Sequence, residues 1–259
     1  MTALNKYLAL FVPNSPGPGA DLTRLTLQGV HQTFPLLSHL LDVVGRPKLS
    51  AVPIEQLFPD AAATAAANAL KLLFDRFGSD KSTAHDYHHL YGGILRNKDD
   101  ISCVLEIGLG TNNLDVVSNM GAQGKPGASL RAFREYLPRA RIFGADVDRR
   151  ILFHEDRIQT YFVDQTDLQS LEELDRNLPY LFDLIVDDGL HSPNANLAVL
   201  AFGLGKLKIG GWLVIEDIPE RALPLWEVVA ALLPGKFSVN LLRARGGFIF
   251  AVQNMAEPP

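Results

Sequence analysis

The chain has 259 residues and a formal charge of −5, with 47% of its residues hydrophobic and 20% charged. These values are typical of a globular protein with one large domain, or with one domain and an added cap. They argue against a general binder of nucleic-acid backbones, because such proteins carry basic stripes.

The chain has a single cysteine, Cys103, which excludes an intrachain disulfide. Its apolar neighbours indicate a small buried strand residue rather than a catalytic thiol. No apolar stretch is long enough to span a bilayer, so no membrane partner is expected. The short apolar run over residues 7–12 does not predict a signal peptide, and we expect a cytoplasmic location.

Residues 1–75 are predicted to form an N-terminal helical cap. A loop rich in proline and glycine over residues 13–19 precedes Asp21, which can cap a first helix. Apolar spacing predicts two further helices over residues 34–44 and 60–77. Such helices can cover a core, form a homo-oligomer contact or line a substrate pocket, and the sequence leaves these three roles open.

Residues 76–254 are predicted to form one α/β domain in which strands alternate with helices. The predicted fold is a doubly wound, seven-stranded, mostly parallel sheet that ends in an antiparallel hairpin, followed by a frayed tail over residues 255–259. Strands are predicted over residues 102–108, 141–145, 158–163, 182–186, 213–215, 237–244 and 248–253. Helices are predicted over residues 128–137 and 168–178, from Pro193 to the glycines at 210 and 211, and over residues 223–233.

Two acidic strand ends are the most informative pattern in the chain. One apolar run ends at Asp187 and Asp188, the next ends at Glu216 and Asp217, and His191 follows the first pair. Ligands of open α/β sheets bind outside the carboxyl ends of the strands, so we expect these side chains to meet at one rim. Oxygen ligands favour Mg²⁺, Mn²⁺ or Ca²⁺ over zinc, and a neutral imidazole can accept a proton near neutral pH. The structural alternative is that the acids cap helices or are solvated.

A second pattern lies where the first strand of the α/β domain runs into Glu106, Gly108 and Gly110. Glycines at a strand-to-helix turn let a ligand approach the backbone closely, although a tight turn needs them in any case. The nicotinamide fingerprint would place a third glycine where this chain has Asn113, which argues against a nicotinamide cofactor.

The next two strands also end on polar side chains. Asp146 can accept hydrogen bonds from both hydroxyls of a ribose, and oxygens of Asp164 and Gln165 can reach an adenine amino group. Together with the glycine turn, these residues describe a pocket for an adenosine that carries no pyrophosphate.

These motifs resemble those of class I S-adenosylmethionine-dependent methyltransferases. More narrowly, they are similar to the metal-dependent macrocin, mycinamicin and rhamnosyl sugar O-methyltransferases of antibiotic biosynthesis. The resemblance covers roughly residues 75–220 and implies a Rossmann-like methyltransferase fold with the cofactor over the glycine turn. The motifs that carry it are G-S-D-K at 78–81, H-D-Y at 85–87, L-E-I-G at 105–108, G-A-S-L-R at 127–131, D-Q-T-D at 164–167, D-D-G-L-H at 187–191 and I-E-D at 215–217.

The resemblance also implies roles for individual residues. Asp188, Glu216 and Asp217 would hold a magnesium ion, with Asp188 and His191 in catalysis and His191 as the base. Asp187 is expected to bond backbone or to face the cofactor. The residues implied to contact S-adenosylmethionine are Asp80, Lys81, Tyr87, Glu106, Gly108, Gly110, Ser129, Asp146, Asp164 and Gln165.

Three features have competing interpretations. Asp80 and Lys81 can bind the methionine end of the cofactor, order a lid, or form a surface ion pair. The histidines at 85, 88 and 89 lie close in sequence, and zinc is a weaker alternative for them because no cysteine completes such a site. The long segment at 110–127 is predicted to close over cofactor and acceptor, or to pack into the core through its apolar residues.

The favoured hypothesis is an S-adenosylmethionine- and divalent-metal-dependent O-methyltransferase, with a sugar of a glycosylated natural product as acceptor. An aliphatic hydroxyl is a very weak acid, and a divalent cation bound to its oxygen lowers that pKa by several units. The alternatives are a catechol-type O-methyltransferase acting on an aromatic diol, a nicotinamide-dependent oxidoreductase, and a non-catalytic ligand-binding protein.

Overall fold

The computed structural model describes residues 9–46 and 48–255, so most of the predicted tail at 255–259 lies outside the described residues. The strands are β1 (Ala51–Pro53), β2 (Cys103–Ile107), β3 (Arg141–Asp146), β4 (His154–Glu155), β5 (Ile158–Phe162), β6 (Phe182–Asp187), β7 (Leu207–Ile218), β8 (Phe237–Ala244) and β9 (Gly247–Asn254). The α-helices are α1 (Gly19–Val43), α2 (Ala61–Phe77), α3 (His88–Ile94), α4 (Ala128–Tyr136), α5 (Leu168–Asn177), α6 (Pro193–Leu204) and α7 (Leu223–Leu232). Short 3₁₀-helices lie at Ala9–Phe11, Ile54–Gln56, Arg149–Ile151 and Glu220–Ala222.

The strands form a single sheet with the order β1-β8-β9-β7-β6-β2-β3-β5-β4. The five strands β7, β6, β2, β3 and β5 run parallel, whereas β9 pairs antiparallel with both β7 and β8. The predicted doubly wound, mostly parallel sheet with a closing hairpin is therefore confirmed. The described residues contain nine strands rather than the predicted seven. The additional strands β1 and β4 have three and two residues, too few to show a period-two pattern in the sequence.

Three predicted helix boundaries differ from the structure. Helix α1 begins at Gly19 with Pro18 as its N-cap, so Asp21, the predicted cap, lies in the first turn of the helix. The helix predicted over residues 34–44 is the second half of α1, which continues through Pro35 without a break. The helix predicted to run to Gly210 ends at Leu204, and Leu207 already belongs to β7. The pairing of β6 with β7 shifts register between Phe182 and Leu184, so the glycines at 210 and 211, which are predicted to stop the helix, lie inside an irregular strand.

The central strands owe their position to their apolar sequences. All five residues of β2 are buried, as are five of the six residues of β6, so both faces of the sheet are covered in the way that parallel sheets require. Cys103 is buried in β2, and burial raises the pKa of its thiol to about 11, in keeping with a structural residue. Among the described residues, no helix combines the length and the apolar character needed to cross a membrane.

The described chain divides into two compact units. One contains the residues up to Lys48 together with Pro224–Leu232, and the other contains Leu49–Leu223 and the residues from Leu233 onward. The expected boundary at residue 75 falls inside the second unit, because α2 packs against α3 and α4 and so belongs with the sheet. Helix α2 begins at Ala61, one residue after its predicted start, and Asp60 is its N-cap, whose side chain accepts a hydrogen bond from the amide of Ala63 at 2.9 Å.

Candidate active site

The candidate site lies where β2, β6 and β7 end side by side. Ile107 pairs with Asp187, and Asp187 pairs with Ile215, so the residues that follow these strands emerge at the same edge of the sheet. This adjacency brings the two acidic strand ends together with the glycine turn, as expected for the ligand-binding edge of an open α/β sheet.

Three of the predicted side chains form a cluster suited to a cation. Ligand atoms of Asp188, His191 and Asp217 all lie within 4.8 Å of one another. Nε2 of His191 is 3.8 Å from Oδ1 of Asp188 and 3.7 Å from Oδ2 of Asp217. His191 and Asp217 have backbone φ angles of 54° and 55°, values that residues other than glycine rarely adopt. Such strained residues are typical of functional sites.

A bulge in β7 separates the two neighbouring acids. The register of β7 against β9 shifts between Ile215 and Ile218, so Glu216 and Asp217 leave the regular ladder. The Asp217 side chain is 28% exposed and faces the cluster, whereas the Glu216 side chain is 1% exposed. Oε1 of Glu216 accepts a hydrogen bond from the hydroxyl of Tyr91. Its predicted role as a metal ligand stays a prediction, because it lies outside the cation-suited group of the described residues.

Lys81 is a buried lysine between the acids, and only 1% of its surface is exposed. Its Nζ lies 2.6 Å from Oδ2 of Asp188, 2.5 Å from Oε2 of Glu216 and 3.2 Å from Oε1 of Glu106. Burial by itself would lower the pKa of Lys81, but the three carboxylates outweigh it and raise that pKa well above its usual range. Lys81 is therefore a fixed positive charge and not a surface ion pair.

Tyr87 and His85 close the outer side of the cluster. The Tyr87 hydroxyl donates to Oδ1 of Asp217, and burial, followed by the charges of Glu216 and Asp217, raises the pKa of Tyr87. The His85 ring stacks on Tyr87 with 4.6 Å between the ring centroids. Its Nδ1 is 3.7 Å from Oδ1 of Asp217, and its Nε2 is 4.0 Å from Oδ2 of Asp80.

A cavity of about 300 Å³ adjoins the cluster, and Asp188 contributes to its wall. Of the residues predicted to contact a cofactor, Gly108, Gly110, Asp146, Asp164 and Gln165 line this cavity. Those that lie elsewhere among the described residues are Asp80, Lys81, Tyr87, Glu106 and Ser129.

The polar residues of the cavity wall are held by the protein itself. The two carboxylate oxygens of Asp146 accept hydrogen bonds from the amides of Leu109 at 2.7 Å and Asp148 at 2.8 Å. The Gln165 side chain donates to Asp187 at 2.6 Å and accepts from the amide of Leu190 at 2.9 Å. These bonds fix the side chains that shape the pocket before any ligand arrives, and their roles toward a cofactor stay predictions.

Asp187 and Glu106 both point into the protein. Asp187 is fully buried and also accepts a hydrogen bond from Nδ2 of Asn196 at 2.8 Å. Burial raises the pKa of Asp187 to about 6, although its amide partners oppose this. Oε2 of Glu106 accepts a hydrogen bond from the hydroxyl of Ser129, while within the described part of the chain its Oε1 has only the ion-pair contact with Lys81.

The fold and the site geometry can be compared with known proteins. No protein-family model matches the chain. The 8-demethyl-8-(2-methoxy-alpha-L-rhamnosyl)-tetracenomycin-C 3'-O-methyltransferase of Streptomyces olivaceus is 31% identical over 188 residues, which cover 71% of this chain and 45% of that protein. Mycinamicin VI 2''-O-methyltransferase of Micromonospora griseorubida is 36% identical over 93 residues, which cover 36% of this chain and 23% of that protein. The chain thus spans less than half the length of either relative.

One solved structure identifies the fold. The MycE methyltransferase of the mycinamycin biosynthetic pathway, in complex with Mg and SAH, is 23% identical and superposes with a TM-score of 0.57 over 72% of this chain and 54% of that one. The chain has the class I methyltransferase fold. The resemblance to sugar O-methyltransferases of antibiotic biosynthesis, which the sequence motifs predicted, is confirmed by these relatives.

The methyltransferase fold carries polar contacts that sequence reasoning missed. Tyr91, which holds Glu216, lies one helical turn after Tyr87, and this spacing is the only signal in the sequence that would have pointed to it. Asp148 accepts hydrogen bonds from the Thr111 hydroxyl at 2.6 Å and from the Asn113 side chain at 2.7 Å. These contacts fasten the start of the 110–127 segment to the end of β3.

The 110–127 segment borders the cavity of this methyltransferase fold. Val116, Val117 and Ser118 line the cavity, and the Ser118 hydroxyl donates to the carbonyl of Gly189 at 2.7 Å. The segment is thus tied to the β6–α6 loop as well as to β3. Its predicted closing movement stays a prediction.

The histidine cluster does not assemble a zinc site. The rings of His88 and His89 lie 4.2 Å apart, and His85 faces Asp217 instead. Among the residues that the structure describes, Asp188, His191 and Asp217 are the only three such side chains close enough to share an ion. This result leaves the acidic cluster as the place for a cation.

Proposed function

We propose that the chain is an S-adenosylmethionine- and divalent-metal-dependent O-methyltransferase whose acceptor is a hydroxyl of a small molecule, with a sugar of a glycosylated natural product as the acceptor class. The observation that carries this proposal is the cluster of Asp188, His191 and Asp217 beside a cavity at the carboxyl ends of the strands. The relatives named as sugar O-methyltransferases, and the fold shared with MycE, support the same reading.

The side chains present fit a hard divalent cation. Carboxylate oxygens are the ligands that Mg²⁺ and Mn²⁺ prefer, and Asp188 and Asp217 each turn one oxygen toward the open side of the cluster. These two acids, with Glu216 behind them, would hold the ion. When bound, the ion would supply a lower pKa for the acceptor hydroxyl and a fixed direction for its oxygen.

His191 is the proposed base. As the acceptor oxygen forms its bond to the methyl carbon, the bond between carbon and sulfur breaks and the sulfur keeps the electron pair. The hydroxyl proton passes to Nε2 of His191, which faces the cluster, while its Nδ1 is buried without a hydrogen-bond partner in the described structure. Tyr87 holds Asp217 in place during this step through its hydroxyl.

The cavity is the proposed site of the cofactor. Gly108 and Gly110 let the cofactor approach the backbone, and Asp146, Asp164 and Gln165 would surround its ribose and adenine.

A cytoplasmic location and a homo-oligomer through the N-terminal helices complete the proposal. For the oligomer, helix α1 has no buried residue and exposes Leu27, Leu36 and Leu40.

Three measurements test this function. Calorimetry should detect binding of S-adenosylmethionine and S-adenosylhomocysteine but not of NAD. A panel of glycosylated natural products and aromatic diols, assayed by mass spectrometry for the mass of one added CH₂ unit, should identify the acceptor class. Removal of divalent ions with EDTA should abolish the transfer and added Mg²⁺ should restore it. Full transfer in EDTA would contradict the metal dependence.

A further inference from the structure

Lys81 connects three neighbouring strands through one ammonium group. Its carboxylate partners are Glu106 in β2, Asp188 immediately after β6, and Glu216 in β7. Lys81 itself comes from the loop that follows α2, so the contact also ties this loop to the ends of the strands. An ammonium group as buried as that of Lys81 is stable only when groups of opposite charge surround it.

The Lys81 ammonium determines which carboxylate oxygens are left to bind a cation. Oδ2 of Asp188 is bound to Lys81, which leaves Oδ1 to face His191. Both oxygens of Glu216 are occupied, one by Lys81 and the other by the hydroxyl of Tyr91. Each acid is therefore oriented by contacts on the side away from the open cluster.

Two physical effects of Lys81 on a bound cation oppose each other. A positive charge beside a cation site repels the cation, and this effect alone would make Lys81 weaken cation binding. An outer partner that orients the ligating groups strengthens binding, and its loss typically costs about 10–100-fold in affinity. Asp188 and Asp217 both face the cluster, and one ammonium does not cancel two carboxylates, so we take repulsion to be the smaller effect.

We propose that Lys81 is a positioning residue of the acidic cluster, which holds Asp188 in the orientation that binds a divalent cation and fixes Glu216 behind it. This inference rests on the proposed metal dependence. It gives Lys81 a role behind the cluster, in place of the cofactor contact that its motif implies. Its consequence is unusual, because an organic ammonium bound at the position of Lys81 would strengthen, not weaken, the binding of a metal ion.

The test measures the affinity of the full chain for Mn²⁺ by the loss of the free-ion EPR signal, without any substrate. Lys81→Ala removes the ammonium and leaves a space that ethylammonium can enter. Lys81→Met fills the same space with an uncharged chain of similar length and is the matched control. We expect both variants to bind Mn²⁺ about 10–100-fold more weakly than the unaltered chain. Added ethylammonium should restore most of the affinity of Lys81→Ala and should not change that of Lys81→Met.

The outcomes separate this role from the proposed function. Unchanged or tighter Mn²⁺ binding in the variants, or weaker binding of Lys81→Ala when ethylammonium is added, would overturn the positioning role while leaving the metal site intact. No Mn²⁺ binding by the unaltered chain would overturn the metal dependence itself. Circular dichroism establishes that each variant is folded. If Lys81→Ala does not fold, the loss or retention of affinity in Lys81→Met decides the question.

Discussion

Nε2 of His191 lies 3.7 Å from Oδ2 of Asp217, although the two residues come from the ends of different strands. Both residues have positive φ angles, so the backbone holds them in this arrangement against its own preference. The fold thus places an imidazole close to a carboxylate from a neighbouring strand, beside the cavity wall to which Asp188 contributes, and the first prediction concerns that imidazole.

Replacement of His191 by asparagine should lower kcat by about 10²–10⁴-fold, because the acceptor hydroxyl loses its general base. The affinity for S-adenosylhomocysteine, measured by calorimetry, should change little, since the cavity wall stays intact. His154→Asn is the control, because His154 is an exposed histidine in the edge strand β4. If His191→Asn kept the full rate, another group would have to accept the proton.

Gly108 permits the glycine turn and the β6–α6 loop to touch. Its φ is +96°, and a Cβ atom at this position would lie 2.0 Å from the carbonyl oxygen of Asp188. Gly108→Ala should therefore destabilise the fold, with about 1–3 kcal/mol from the backbone conformation alone, and should weaken cofactor binding. Denaturant titration and calorimetry measure the two effects.

Gly205→Ala is the matched control for this substitution. Gly205 has a right-handed helical conformation at the end of α6, and the nearest atom to an added Cβ is 3.8 Å away. Its stability should stay the same or rise slightly. Equal free energies of unfolding for the two variants would show that the close approach of Gly108 to the Asp188 carbonyl does not exclude a side chain at position 108.

His88 should make the protein sensitive to acid. Burial, followed by the neighbouring charges of His89 and Lys71, lowers the pKa of His88 to about 4 from an ordinary value of 6.5. Because the unfolded chain binds this proton more readily, the stabilising contribution is complete above pH 6.5 and is lost as the pH falls toward 4. Replacement by glutamine should flatten this part of the stability curve.

Denaturant titrations of the unaltered chain and of His88→Gln across this pH range provide the measurement. His31→Gln is the comparison, because His31 is an exposed histidine on α1. Parallel curves for all three proteins would mean that His88 is protonated as readily in the folded protein as in the unfolded chain.

The 110–127 segment should become easier to cleave when its tie to the β6–α6 loop is removed. Ser118→Ala deletes the hydroxyl that donates to the carbonyl of Gly189, and we expect faster proteolysis within the segment in the absence of cofactor. S-adenosylhomocysteine should protect both proteins. Thr64→Ala, which removes a hydroxyl bond within helix α2, should behave like the unaltered chain. Cleavage rates that do not respond to the cofactor would argue against a closing movement.

Much of the fold was accessible from local patterns. The strands β2, β3, β5 and β6 are short apolar runs between helices of period 3.6, and each lies within about a residue of its predicted position. The errors occurred where local and tertiary preferences disagree. The apolar run over residues 34–44 predicts a separate helix where α1 is continuous, and the glycines at 210 and 211 predict a stop inside what is a strand.

Sequence alone determined that acids, glycines and a histidine lie at strand ends, because alternation of strands and helices dictates where the chain turns at the sheet edge. It could not determine which acid faces outward. Glu216 and Asp217 are neighbours, and the bulge in β7, set by pairing with β9, directs one to Lys81 and the other to His191. The burial of Lys81 could not be predicted from the sequence either, because its three partners are distant in sequence and meet only when the strands pack side by side.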